Sequence, residues 1–252
     1  MIPDKVRAAA AEHPYPLLFA TVSGAHLYGF PSLDSDWDLR GVHILPVQQI
    51  AGLGPMEETL ELTRKDEIEL DLVTHDVKKF ITLLLRPNGY VLEQLHSPIV
   101  VVSTPEHVEL KELARGCLTK HHVHHYLGFA DNQWKLFSKE ESPRIKPLLY
   151  TFRVLLTGIH LMREAEIEAN LVRLNELYPA SRVSDLIERK REGVEREFLG
   201  QDEIALCEQE IVSLRNRLVA ESASTLLPES PSSRAALNDL LIRIRLKTLQ
   251  NG

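Results

Sequence analysis

The hydrophobic pattern of this chain changes its period once, near residue 105. Across residues 15–103 the apolar residues come in short runs broken by Gly, Pro and Asp, the pattern of strands and turns. Across residues 105–220 and 232–249 they recur at helical spacing with few breakers. A chain built this way cannot be a uniform bundle or a uniform sandwich. The expected fold class is α+β: a small mixed-sheet module over residues 1–104, then an all-helical module over residues 105–252. The 252 residues allow one large domain or two small ones.

Within the first module Leu17–Val22 reads as a buried strand, Leu39–Leu45 as a second, and Ile68–Val73 as a half-exposed third. Ile99–Val102 is an edge strand or a buried linker. Asp76 is placed to cap a helix through VKKFITLLL that ends at Arg86-Pro87-Asn88-Gly89. In the second module the expected helices are 106–116, 120–138, 147–163, 164–177, 183–198, 201–221 and 232–249. The segment 222–233 is a loop whose last serines cap the final helix.

The stretch that carries chemistry is Ser23-Gly24-Ala25-His26-Leu27-Tyr28-Gly29 followed by Asp34-Ser35-Asp36-Trp37-Asp38. At the entry to a strand, a period of two puts Asp36 and Asp38 on one face. Carboxylates that point the same way repel unless a cation lies between them. Hard divalent cations take oxygen ligands, and magnesium is the usual partner of phosphates. Asp71 lies on the third strand, with Leu70 and Leu72 on the other face. If that strand pairs beside the second, Asp71 joins the other two. Three carboxylates can hold two ions about 3.5–4 Å apart, a spacing suited to in-line phosphoryl displacement. The Ser23-Gly24 turn leaves backbone N–H groups that can cradle a phosphate. The simpler reading of Asp-Ser-Asp-x-Asp alone is an exposed turn. An EF-hand loop is excluded because Leu45 stands where the distal Glu is required.

A glycine turn, then Asp-x-Asp, then a lone acid on a later strand resembles the DNA polymerase β-like nucleotidyltransferases. The fuller string SGAHLYGFPSLDSDWDLRGVHI is similar to their predicted subfamily associated with RNA repair, the RNA-ligase-associated polymerase-like group. Likeness continues in ELDLVTHDVKKF, HHYLGFADNQ and KPLLYTFRVLLTGIHLM, so it covers most of the chain. The resemblance implies a polymerase-like palm with a helical module that completes the active site. It also implies two magnesium ions, with manganese as a substitute, and an NTP donor. By position, Gly24 matches the turn glycine, Asp36 and Asp38 the paired metal ligands, and Asp71 the third acid. One position departs: Ala25 stands where the family usually has Ser. The lost hydroxyl costs about 1.5–3 kcal/mol of donor binding if it met a charged phosphate, and Ser23 or backbone N–H groups are the substitutes.

Further candidates for nucleotide contact follow. Arg40 faces the phosphates or pairs with a neighbouring carboxylate. Tyr28 stacks on a base or packs. Lys146, Tyr150, Arg153, Thr157 and His160 are spaced four, three, four and three, one polar stripe on an apolar helix. Such a stripe is expected to face water, a partner or a ligand, and Lys146 and Arg153 suit a triphosphate. His121, His122, His124 and His125 invite a zinc reading, but no Glu stands between His121 and His125 as in a metalloprotease helix. The shared motif points instead to a structural or substrate-contact role. Glu69 shares the strand face of Asp71, as an outer partner or a solvated carboxylate. Cys117 and Cys207 read as packing residues.

The expected function is therefore metal-dependent transfer of a nucleoside monophosphate from an NTP to an acceptor, most plausibly an RNA end. The other acceptors are a protein hydroxyl or a small molecule, and a third reading is a weakened nucleotide sensor. With 36 acidic and 29 basic residues the net charge is −7, which argues against a protein that coats duplex nucleic acid. The basic residues Arg243, Arg245 and Lys247 are a local exception. No run of 18 or more uncharged apolar residues exists, so no membrane partner is expected. MIPDKVRAAAAEHPYP lacks a basic region followed by an apolar one, and two cysteines build no disulfide framework. A cytoplasmic location is the expectation.

Overall fold

The computed structural model describes residues 2–65, 68–139, 144–192 and 199–250. In chain order the first elements are α1 (Asp4–Ala11), β1 (Leu17–Val22), α2 (Gly24–Tyr28), β2 (Trp37–His43) and α3 (Val47–Ala51). Next come β3 (Thr59–Lys65), β4 (Glu69–Asp76), α4 (Val77–Leu84), α5 (Gly89–His96) and β5 (Val100–Ser103). The remainder is helical: α6 (Pro105–Ala114), α7 (His122–Lys139), α8 (Ile145–Glu164), α9 (Leu171–Leu177), α10 (Val183–Arg191), α11 (Gln201–Ser224) and α12 (Arg234–Gln250). This is the expected α+β class.

The chain divides into two compact units, neither continuous in sequence. The first holds residues 1–24, 36–118 and 230–252; the second holds 25–35 and 119–229. The last helix belongs with the sheet because α12 packs on α6, α3 and α4.

The sheet order in the first unit is β3-β4-β2-β1-β5. Only β2 and β4 run parallel; the other neighbours are antiparallel. Alternation along β2 and β4 sorts the side chains by face. Leu39, Leu70 and Leu72 join Ala20 and Val22 in a core with Val6, Ala9 and Ala10 of α1. Asp38, Arg40 and Asp71 take the opposite face. Asp76 caps α4 as expected, its Oδ1 accepting from the Lys78 N–H at 2.9 Å. The Asn88 side chain caps α5 in the same way, accepting from the Tyr90 N–H at 3.1 Å.

In the second unit α8 is the central helix, packed on α7, α9, α10 and α11. Only the start of its polar stripe faces water, one of the three surroundings (water, a partner or a ligand) that its spacing allowed. Lys146 is exposed and Tyr150 half-buried, but Arg153, Thr157 and His160 are buried. The reason is packing on several sides, which leaves α8 exposed only toward its two ends. His160 is satisfied there by the Tyr178 hydroxyl, 3.1 Å from its Nδ1.

Every expected helix of the second module forms, with shifted ends. The segment 165–170 is not helical, because the chain leaves α8 through Ala165 in a left-handed conformation. The end of the expected helix 183–198 lies outside the described residues beyond 192. Elements not foreseen are α1, α5, β3 and the short α2 and α3. Ile99–Val102 resolves as the edge strand β5.

Candidate active site

The site is built by one register. In the parallel β2/β4 pair Trp37 lies opposite Leu70 and Asp38 opposite Asp71. The two carboxylates therefore share a face and a row. One row out, Asp36 immediately precedes β2, and Glu69 begins β4. On the edge strand Thr63 lies opposite Asp71 and Lys65 opposite Glu69. The Thr63 hydroxyl donates to Asp71 Oδ1 at 3.4 Å, and Lys65 pairs with Glu69 at 2.7 Å. That lysine, more than any other contact, holds the Glu69 carboxyl below its ordinary range.

Gly24 closes the site from the β1 side. The Ser23 N–H donates to the Asp38 carbonyl at 2.7 Å, which extends the β1/β2 ladder to the turn. Gly24 then takes φ +62°, a left-handed conformation. A Cβ there would lie 1.8 Å from Asp38 Oδ2. Only a residue without a side chain can lie so close to that carboxylate.

Arg40 lies one turn of the pleat beyond Asp38, and its guanidinium is committed to the acids. Nη2 donates to Asp38 Oδ1 at 2.8 Å and to Asp71 Oδ2 at 3.0 Å. Nη1 donates to the carbonyls of Leu39 and Asp71 at 3.0 and 2.8 Å. Nε donates to the Tyr90 hydroxyl at 2.9 Å. A guanidinium has five N–H donors, and all are used here. Of the two roles open to Arg40 in the sequence, the structure displays the pairing with carboxylates. Burial opposes its charge, but Tyr90, Asp38 and Asp71 together hold its pKa above the usual value.

Among the described residues no three His, Cys, Asp or Glu side chains stand in a metal-holding arrangement. The donor chemistry nevertheless fits a hard cation. Two carboxylates converge on one positive group, Arg40 Nη2, and Gly24 leaves Asp38 Oδ2 uncrowded by a side chain. Asp38 and Asp71 are thus the pair able to share an ion, with Asp36 beside them.

The other candidates lie in the second unit, described separately. Arg153 stacks its guanidinium 3.8 Å from the centre of the Tyr28 ring, and Tyr28 meets Tyr150 edge-on at 5.4 Å. Ala25 is buried. The histidines take separate partners: His121 Nε2 meets Glu229 at 3.0 Å and its ring stacks on His124, His122 is buried against Thr119, and His125 packs on Tyr126 and Phe129. Burial pushes the His125 pKa down to about 4.

Sequence reasoning passed over Thr63 and Tyr90. A signal for Thr63 existed, since TLELTRK alternates Thr, Glu, Thr and Lys with Leu, Leu and Arg. No sequence signal marks Tyr90, whose role depends on how α5 packs on β1 and β2.

The chain is similar to known proteins over most of its length. Residues 1–243 match the family described as RNA repair pathway DNA polymerase beta family. An uncharacterized protein of Methanocaldococcus jannaschii is 32% identical over 181 residues, covering 69% of this chain and 72% of that one. The Bacillus subtilis protein YcgL is 24% identical over 259 residues, covering 99% and 97%. Among solved structures, a nucleotidyltransferase-like protein from Exiguobacterium sibiricum aligns with 13% identity and a TM-score of 0.33. That alignment covers 88% of this chain and 76% of that one.

Proposed function

We propose that this chain, which belongs to the RNA repair pathway DNA polymerase beta family, transfers a nucleoside monophosphate from an NTP to an RNA end. The observation that carries the reading is the register that sets Asp38 opposite Asp71, closed by a glycine that leaves room for the Asp38 carboxylate.

Asp36, Asp38 and Asp71 are the residues that would hold magnesium, whose charge offsets that of the reacting phosphates when bound. The rest of the work falls to the chain. The backbone N–H of Gly24 at the turn is offered to the donor's phosphates, in place of the hydroxyl that Ala25 lacks. The acceptor hydroxyl oxygen bonds to the α-phosphorus while the bond from that phosphorus to the β-bridging oxygen breaks. Pyrophosphate leaves, and the hydroxyl proton passes to the carboxylate of Asp71, whose side chain is 37% exposed and open to an acceptor. Arg40 fixes the two carboxylates in the geometry that the step needs. Of the candidates in the second unit, Tyr28 and Arg153 are buried against each other and take no part in this proposal.

One observation favours a protein or small-molecule acceptor instead. Each of the three basic residues near the end of the chain is already paired with acid: Arg243 with Glu109 and Asp239, Arg245 with Asp76, and Lys247 with Glu106. They form no free basic patch of the kind that binds phosphate backbones.

A transfer assay tests both readings. The protein, magnesium and each α-labelled NTP are incubated with pooled RNA or with cell protein, beside an Asp36→Asn/Asp38→Asn control. Label on RNA that requires the acids supports the proposal. Label on protein moves the conclusion to the second reading. No label on either, with NTP still bound, points to a nucleotide sensor.

A further inference from the structure

The acidic face holds Asp36, Asp38, Glu69 and Asp71, and among the described residues Arg40 pairs with Asp38 and Asp71 and Lys65 with Glu69. The two cations are not alike. Lys65 is largely exposed on the edge strand, and its long side chain is free to leave. Arg40 is only 12% exposed and uses every N–H that it has. Three of its five hydrogen bonds go to groups other than the carboxylates: the Tyr90 hydroxyl and the carbonyls of Leu39 and Asp71. Those three hold the guanidinium in place even if both carboxylates turn elsewhere. Arg40 is therefore not a gate that swings out when a metal arrives.

We infer that Arg40 is a fixed counter-charge that makes the site bind its divalent cation together with nucleotide rather than alone. The inference rests on the metal-dependent reading proposed above. Its physical basis is short. One oxygen of each paired carboxylate, Asp38 Oδ1 and Asp71 Oδ2, is already taken by Nη2. A lone cation must approach a like charge that cannot withdraw. A triphosphate brings negative charge that offsets Arg40, so cation and nucleotide each improve the binding of the other. Arg40 is thus a positioning residue, acting through Asp38 and Asp71. An ordinary structural ion pair would lower stability on removal without altering that coupling.

The test is titration of Mn2+ followed by electron paramagnetic resonance, with and without an α,β-methylene NTP analogue. Bound Mn2+ is corrected for the Mn2+–analogue complex. In the unaltered protein the affinity for Mn2+ rises on the order of tenfold or more with the analogue present. In Arg40→Gln the affinity without analogue rises on the order of tenfold and the coupling shrinks. Arg40→Lys, which keeps the charge, stays near the unaltered protein. The inference is overturned if Arg40→Gln, with an unchanged circular dichroism spectrum, binds lone Mn2+ no more tightly. If that variant does not fold, the unaltered protein decides: equal Mn2+ affinity with and without analogue overturns the inference and leaves the metal-dependent reading intact. Absence of Mn2+ binding under both conditions overturns the metal-dependent reading itself.

Discussion

Replacing Gly24 with Ala adds one methyl group and perturbs two things at once. The first is the backbone: φ at this position is +62°, and an L-residue in the left-handed region costs about 1–2 kcal/mol. The second is the carboxylate of Asp38. The new Cβ would lie 1.8 Å from Oδ2 and 2.7 Å from Cγ, so the carboxylate has to leave. Leaving breaks its hydrogen bond from Arg40, a partly buried, charge-assisted contact worth about 1.5–3 kcal/mol. The two parts sum to about 2.5–5 kcal/mol. They separate in an Asp38→Ala background, where the carboxylate is absent and only the backbone part of about 1–2 kcal/mol remains. A double-mutant cycle of the two substitutions should therefore show a coupling of about 1.5–3 kcal/mol. A chain with two compact units need not unfold in one step. Hydrogen exchange of the β1 and β2 amides is the suitable readout, because it reports opening of the first unit alone. Gly24→Ala should also abolish transfer. An equal cost of Gly24→Ala in both backgrounds would refute the claim that this glycine exists to leave room for Asp38.

Two further outcomes concern the other end of the same sheet. Arg245 holds both oxygens of the buried Asp76 at 2.6 and 2.7 Å, so Arg245→Ala strands a carboxylate inside the protein and should cost about 3–5 kcal/mol. Exchange of the β4 and α4 amides measures it, and a loss below about 1 kcal/mol would mean that the Lys78 and Leu45 N–H groups suffice for Asp76. His43 is fully buried, and burial, aided by His13, His75 and Arg245 against the opposing pull of Asp76, pushes its pKa down to about 4. The unfolded chain takes up that proton near pH 6.5 and the folded one only near 4, so stability is full above 6.5 and falls as the pH drops between these values, by roughly 3 kcal/mol for this group. His43→Asn should flatten the decline of melting temperature over that window, and parallel slopes for the two proteins would reject His43 as a source of it.

The carboxylates were legible in the sequence because they obey a short-range rule. Asp36 and Asp38 are two apart, and period two places them on one face where the chain is extended through both. Asp71 was legible for a related reason: Leu70 and Leu72 had to face the core, and the residue between them could not. What alternation cannot supply is the neighbour. The parallel pairing that sets Asp38 against Asp71 joins strands some thirty residues apart, and β3 between them is an edge strand that buries little and gives only a weak hydrophobic signal. The helix α1 was missed for a comparable reason, since DKVRAAAA offers small residues whose value appears only against the sheet. The polar stripe of α8 shows a further limit. Spacing put Lys146, Tyr150, Arg153, Thr157 and His160 on one face, but spacing cannot say whether that face meets water or other helices.

Arg40 joins these lessons, because sequence offered it two roles of equal standing. Its position two residues after Asp38 places it on the acidic face, which local periodicity shows. Which way it turns depends on Tyr90, fifty residues downstream, and on the Asp71 carbonyl of a neighbouring strand. Neither contact leaves a trace in local spacing. Together they decide that the cation is held against Asp38 and Asp71 rather than left free for a phosphate. The acids thus carry their own positive charge into the site, and the charge that a divalent ion meets there depends on what accompanies it. For that reason the metal and the nucleotide should be titrated together in this protein before either is titrated alone.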